Sequence, residues 1–79
     1  MKLRLTGFLP VPTDDDRVKF KFFINESLES SALTLMGWTH LDDALGGEQE
    51  LTPVQAAAFA GLLEEPQIID LTLFIGCVS

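Results

Sequence analysis

The first nine residues alternate. Lys2, Arg4 and Thr6 take one parity, and Leu3, Leu5, Gly7 and Leu9 take the other. A period of two places successive side chains on opposite sides of an extended backbone, so this stretch predicts a half-buried strand. The device recurs over residues 17 to 24, where Arg17, Lys19 and Lys21 alternate with Val18, Phe20, Phe22 and Ile24. Between the two, residues 10 to 16 supply the prolines and aspartates of a turn. Together they predict a hairpin with one apolar and one basic face. Setting Leu5 opposite Phe22 and Leu9 opposite Val18 joins the apolar faces and keeps Arg4 from lying directly across from Lys21.

The pattern changes to helical spacing after Leu51. Thr52 is a good N-cap, Pro53 suits the first helical position, and Gln55 completes a Thr-x-x-Gln capping box. The alanine-rich run that follows predicts a helix over about 53–65, stopped by Pro66. Ala56, Ala58, Phe59, Leu62 and Leu63 fall on one side of it, with Ala57, Ala60, Gly61 and Glu64 on the other. From Ile68 to Val78 the chain is apolar on both parities apart from Asp70 and Thr72, as in a strand inside a sheet. With Ile69, Leu71, Leu73, Ile75 and Cys77 turned to the helix, Asp70 emerges beside the hairpin cations as an ion partner for Lys19, Lys21 or Arg4.

Residues 25 to 51 are less patterned. Ala32 to Trp38 reads as a third strand, favoured by Thr34, Trp38 and Thr39 and broken by Gly37, although Leu28, Ala32, Leu35 and Met36 also fit a helix capped by Asn25 or Ser27. Asp42, Asp43, Gly46, Gly47, Glu48 and Glu50 describe an exposed acidic loop with at most a turn of helix.

These elements make a single small α+β domain over residues 1–79: an antiparallel sheet of hairpin, third strand and C-terminal strand, with one helix packed on one face. One helix covers one face only. The other face then displays Phe8, Phe23, Trp38 and Phe74, with Met36, among Lys19, Lys21 and Thr72. Aromatic residues with methionine and a few cations match the composition of interface cores, and a homodimer through this face is the expectation.

Size sharpens that expectation. A chain of 79 residues buries only about 60% of its unfolded surface, so its stability margin is thin. Cys77 is the only cysteine and His40 the only histidine, which excludes an internal disulfide and a cysteine–histidine zinc site. The start of the chain alternates charged and apolar residues, unlike a secretory signal, and the apolar tract ending at Val78 is too short to span a bilayer. The expectation is a cytoplasmic protein with no membrane contact.

Charge is segregated along the chain. All five basic residues (Lys2, Arg4, Arg17, Lys19, Lys21) lie in the first 21 positions, where three aspartates leave a net +2; the remaining 58 residues carry nine carboxylates and no cation, for −9. So acidic a surface repels nucleic acid and anionic lipid and speeds encounter with basic partners. Basic residues interleaved with phenylalanine in the hairpin resemble single-strand binders superficially, but twelve carboxylates against five cations exclude direct nucleic-acid binding.

Catalytic constellations are scarce. His40 with Asp42 and Asp43 falls within four residues of a polar loop, without the spacing of a metal or acid–base site. Asp14, Asp15 and Asp16 lack the alternating ligands and glycine of a calcium loop. Cys77 has no neighbouring cation in sequence to activate it. We therefore expect no enzyme activity, no cofactor and no bound metal. The functional expectation is a non-enzymatic protein-binding module, a small acidic inhibitor or regulator that mimics nucleic acid and blocks a basic nucleic-acid-handling protein, with Asp42, Asp43, Glu48 and Glu50 as its contact surface. Compact acidic inhibitors of phages and other mobile elements share this size and charge. The alternative is a homodimeric accessory or structural subunit with no inhibitory role.

Overall fold

Four antiparallel strands, β1 (Lys2–Phe8), β2 (Phe20–Phe23), β3 (Gln49–Glu50) and β4 (Thr72–Val78), form one sheet in the order β2-β1-β4-β3. The computed structural model describes residues 2–10, 14 and 17–78, apart from the side chains of Ala44 and Leu45. Two helices, α1 (Glu26–Met36) and α2 (Pro53–Leu62), complete an α+β fold, with 3-10 segments at Leu41–Gly46 and Pro66–Asp70.

The hairpin register is the one the alternation requires. Leu5 pairs with Phe22, and Arg4 meets Phe23 rather than Lys21. The ladder runs from Arg4↔Phe23 to Gly7↔Phe20. There the Lys19 N–H donates to the Gly7 carbonyl at 2.7 Å, and the expected Leu9–Val18 pair lies beyond the ladder. The turn expected over residues 10–16 falls outside the described residues except at Pro10 and Asp14.

β4 is internal, as its apolar character on both parities predicts, with β1 along one side and β3 along the other. The β1–β4 register sets Leu3 against Cys77, Leu5 against Ile75 and Gly7 against Leu73. Leu3, Leu5, Leu73 and Ile75 are buried and meet Ala32 and Met36 of α1 and Ala56, Phe59 and Ala60 of α2 in one cluster. Both helices therefore lie on the same face of the sheet. Phe59 is wholly buried, which by itself stabilises the fold by about 1.5–3 kcal/mol.

Three expectations are corrected. The segment read as a third strand is α1. The Asn25 side chain caps it by accepting from the Leu28 N–H at 3.2 Å. Gly37 ends it with φ 75°, the left-handed conformation that a β-carbon disfavours. Trp38 N–H then donates to the Leu33 carbonyl at 2.9 Å, which closes the cap. Gly37, taken as a break in a strand, is a helix terminator, and Ala32 and Met36 are buried at the helical spacing.

The second correction concerns Ile68 to Asp70. Pro66 stands at the start of a 3-10 segment that carries Ile68 into the core and leaves Ile69 and Asp70 exposed, so β4 begins only at Thr72. Asp70 thus stands off the strand and forms no ion pair with a hairpin cation among the described residues.

Third, α2 has the predicted capping box, with Gln55 N–H donating to Thr52 Oγ1 at 3.1 Å and Thr52 N–H donating to Gln55 Oε1 at 2.9 Å. It ends at Leu62, three residues early, and Glu64 adopts φ 56°. Ala60, placed on the outward side, is buried, while Leu62 and Leu63 are half-buried.

The open sheet face as a candidate interface

Register alone fixes what the uncovered face displays. β1 contributes Lys2, Arg4, Thr6 and Phe8; β4 contributes Thr72, Phe74, Gly76 and Val78; β2 contributes Lys21 and Phe23. Phe8 and Phe74, diagonal neighbours across the β1–β4 ladder, pack edge-to-face with ring centroids 5.7 Å apart and planes at 83°. Both are half-buried by this mutual contact, whereas Phe23 is 48% exposed. The face therefore carries one satisfied aromatic pair and one open phenylalanine at its β2 edge.

A polar row crosses the same face. Arg4 lies between Phe23 on β2 and Gly76 on β4, and its guanidinium Nη2 donates to Glu48 Oε1 at 2.9 Å. Glu48 directly precedes β3, so the pair reaches over β4 at the one position that has no side chain. A β-carbon on Gly76 would stand 2.8 Å from the Glu48 Cγ. Both partners remain partly exposed, at 32% and 39%, which places this among modest ion pairs. Beside it, Thr6 is 97% buried between Lys21 and Phe74, and among the described residues neither its hydroxyl nor the similarly enclosed Arg4 Nε has a hydrogen-bond partner.

The four carboxylates expected to form an acidic contact surface have divided roles. Asp43 serves the fold: its Oδ2 accepts from the Thr39 and His40 N–H groups at 3.0 and 3.2 Å. The His40 and then the Thr39 N–H hold its carboxyl below the usual carboxylate range. Glu48 neutralises Arg4. Asp42 and Glu50 are exposed and have no side-chain partner among the described residues. Of the four expected aromatics, Phe8, Phe23 and Phe74 share the open face. Trp38 does not belong to a strand; it follows the cap of α1, half-buried against the core.

Elsewhere the surface is shallow. A depression of about 480 Å³ between α1 and α2 is lined by Ser30, Thr34, Leu35, Ala58 and Gly61. A wider cleft of about 720 Å³ opens where β2 passes into α1, bounded by Lys2, Phe23, Asn25, Glu26 and Glu29. Among the described residues, no three histidine, cysteine or carboxylate side chains gather as a metal-ion set, and no helix is long and apolar enough to cross a membrane. Comparison with protein-family models, curated proteins and solved structures returns no match.

Sequence reasoning missed the Arg4–Glu48 pair and the orphan hydroxyl of Thr6. The glycine at position 76 was the available signal. A glycine inside a strand marks a place where something passes close by.

Proposed function

We propose that this chain is a non-enzymatic protein-binding module, a small acidic inhibitor or regulator that docks on a basic nucleic-acid-handling protein with its carboxylates standing where phosphates would bind. One observation carries this reading: the helical layer is anionic throughout. Glu26, Glu29, Asp42, Asp43, Glu64, Glu65 and Asp70 lie on the helices, their caps and the 3-10 segments, with no cation among them. The opposite face of the sheet is mixed, with Lys2, Arg4 and Lys21 beside Glu48 and Glu50. A one-sided anionic surface steers association with a basic groove and disfavours wrong partners, and the effect weakens with salt. The contact surface is broader than the four loop carboxylates, since Asp43 and Glu48 already have intramolecular roles.

Immobilised chain tests the reading directly. Retention of a basic nucleic-acid-binding protein at low ionic strength, its release by salt and its displacement by free DNA are the expected results. Neutralising Asp42, Glu64, Glu65 and Asp70 to the matching amides should slow association and flatten its salt dependence while the fold stays intact. Capture that is indifferent to DNA, or unchanged by these four substitutions, would reject it. A second reading, a homodimeric accessory subunit, is favoured by the open aromatic face and the exposure of Phe23.

A further inference from the structure

Among the described residues β2 is an unpaired edge of the sheet, and its alternation suits a second copy of itself. In the β1–β2 ladder, the Ile24 N–H donates inward to the Leu3 carbonyl at 2.9 Å. Because inward and outward backbone groups alternate along a strand, Phe20 and Phe22 also turn their N–H and C=O groups toward β1. Lys21 and Phe23 turn theirs away from the sheet. Among the described residues nothing accepts from or donates to those outward groups. Exposed edges are commonly defended by a lysine or by shortness, and β2 has both, with Lys21 in a four-residue strand. Its phenylalanines offset that defence.

We propose that two copies of this chain pair antiparallel through β2, about a two-fold axis at Phe22, so that two four-stranded sheets become one of eight strands. The register follows from three constraints. Side chains opposite one another must share a face, outward backbone groups must meet outward groups, and lysine must not oppose lysine. An axis at Lys21 breaks the third rule. An axis at Phe23 would pair Lys21 with Asn25, the cap of α1, where the strand has ended. An axis at Phe22 pairs Lys21 with the partner's Phe23 and Phe23 with the partner's Lys21, giving four main-chain hydrogen bonds. It also sets Phe22 beside the partner's Phe22 on the core side and buries Phe23, the exposed aromatic of the open face.

Charge is compatible with the same arrangement: Lys21 stands opposite the partner's Phe23, which lines a cleft with Glu26 and Glu29. This inference stands apart from the inhibitor reading, because it uses the sheet edge and not the helical layer. The contact is small, so the dimer is a weak one that forms with rising concentration.

Sedimentation equilibrium together with amide hydrogen exchange tests it on the intact chain. As concentration rises and dimer forms, the Lys21 and Phe23 amides should become protected, while the Glu50 amide on the opposite edge of the sheet should not. Lys21→Pro removes two of the four hydrogen bonds per dimer and should weaken association about thirtyfold, whereas Lys21→Ser, which keeps the N–H, should leave it nearly unchanged. If the proline variant fails to fold, the wild-type exchange data still decide. A chain that stays monomeric at millimolar concentration would overturn the proposal. So would a dimer in which the Lys21 and Phe23 amides exchange at a rate independent of concentration. Neither result bears on capture of a basic protein by the helical layer.

Discussion

Substituting alanine at Gly76 should act oppositely depending on what stands at position 48. In the native chain the new methyl group would lie 2.8 Å from the Glu48 Cγ, closer than non-bonded carbons tolerate, so the glutamate must swing away. That breaks the 2.9 Å contact to Arg4. With the two partners 32% and 39% exposed, the lost ion pair is worth only about 0.2–1 kcal/mol, and an off-rotamer glutamate adds about 0.5–1.5 kcal/mol. Against this, replacing glycine at an unstrained strand position restricts the unfolded chain and contributes about 0.4–1 kcal/mol of stability. The expected net is a destabilisation of about 1 kcal/mol. In a Glu48→Ala background the clashing atom is gone and the nearest side-chain atom left is Cβ at 3.7 Å, an ordinary contact. There Gly76→Ala should stabilise by about 0.4–1 kcal/mol. Urea unfolding of the four proteins measures the coupling, expected at about 1–2 kcal/mol. Equal effects of Gly76→Ala in both backgrounds would refute the claim that this glycine exists to let the ion pair cross β4.

Two other outcomes follow from the same surface and its neighbouring cap. Thr6→Val replaces a buried hydroxyl that has no partner among the described residues with a methyl group of similar size, and should stabilise the chain by about 1–3 kcal/mol in the same unfolding assay. Asp43 has a depressed carboxyl pKa in the folded chain, so its contribution is present above the unfolded value of about 3.9 and is lost as pH falls through the folded one. Wild type should therefore exceed Asp43→Asn in stability at neutral pH, with the gap closing in acid below that value.

Much of the sheet was legible because a period of two admits few alternatives. Leu5 faces Phe22, and Leu73 and Ile75 face the helices, since any slip by one residue would expose an entire apolar row. The α2 start was legible from Thr52, Pro53 and Gln55, whose chemistry is local. α1 was not, because Ala32 to Trp38 is short enough to satisfy either period and the deciding residue, Gly37, is ambiguous between strand breaker and helix terminator. Asp70 was misplaced because Ile68, Ile69 and Leu71 resemble a continuing strand, while Pro66 started a turn of 3-10 helix that took them out of register. The Arg4–Glu48 pair joins residues 44 positions apart through a two-residue strand, too short to leave a pattern. The aromatic face was partly legible: Phe8, Phe23 and Phe74 followed from parity, and Trp38 failed with the strand that was to carry it.

The strand order has a consequence for how the chain acquires its structure. β1 and β4, neighbours at the centre of the sheet, pair from Lys2↔Val78 to Phe8↔Thr72, so the innermost ladder joins opposite ends of the sequence. On the ribosome, β1 and β2 emerge first, and a two-stranded hairpin is marginal in water. The apolar sides of α1 and α2 are then made before there is a sheet on which to rest. Closing so distant a pair costs loop entropy before any contact repays it, which slows folding relative to a helical chain of equal length. Throughout that interval the hairpin has both its outer edges open and its core-side phenylalanines uncovered, so aggregation of the nascent chain competes with folding until β4 closes the β1 edge and the helices dock.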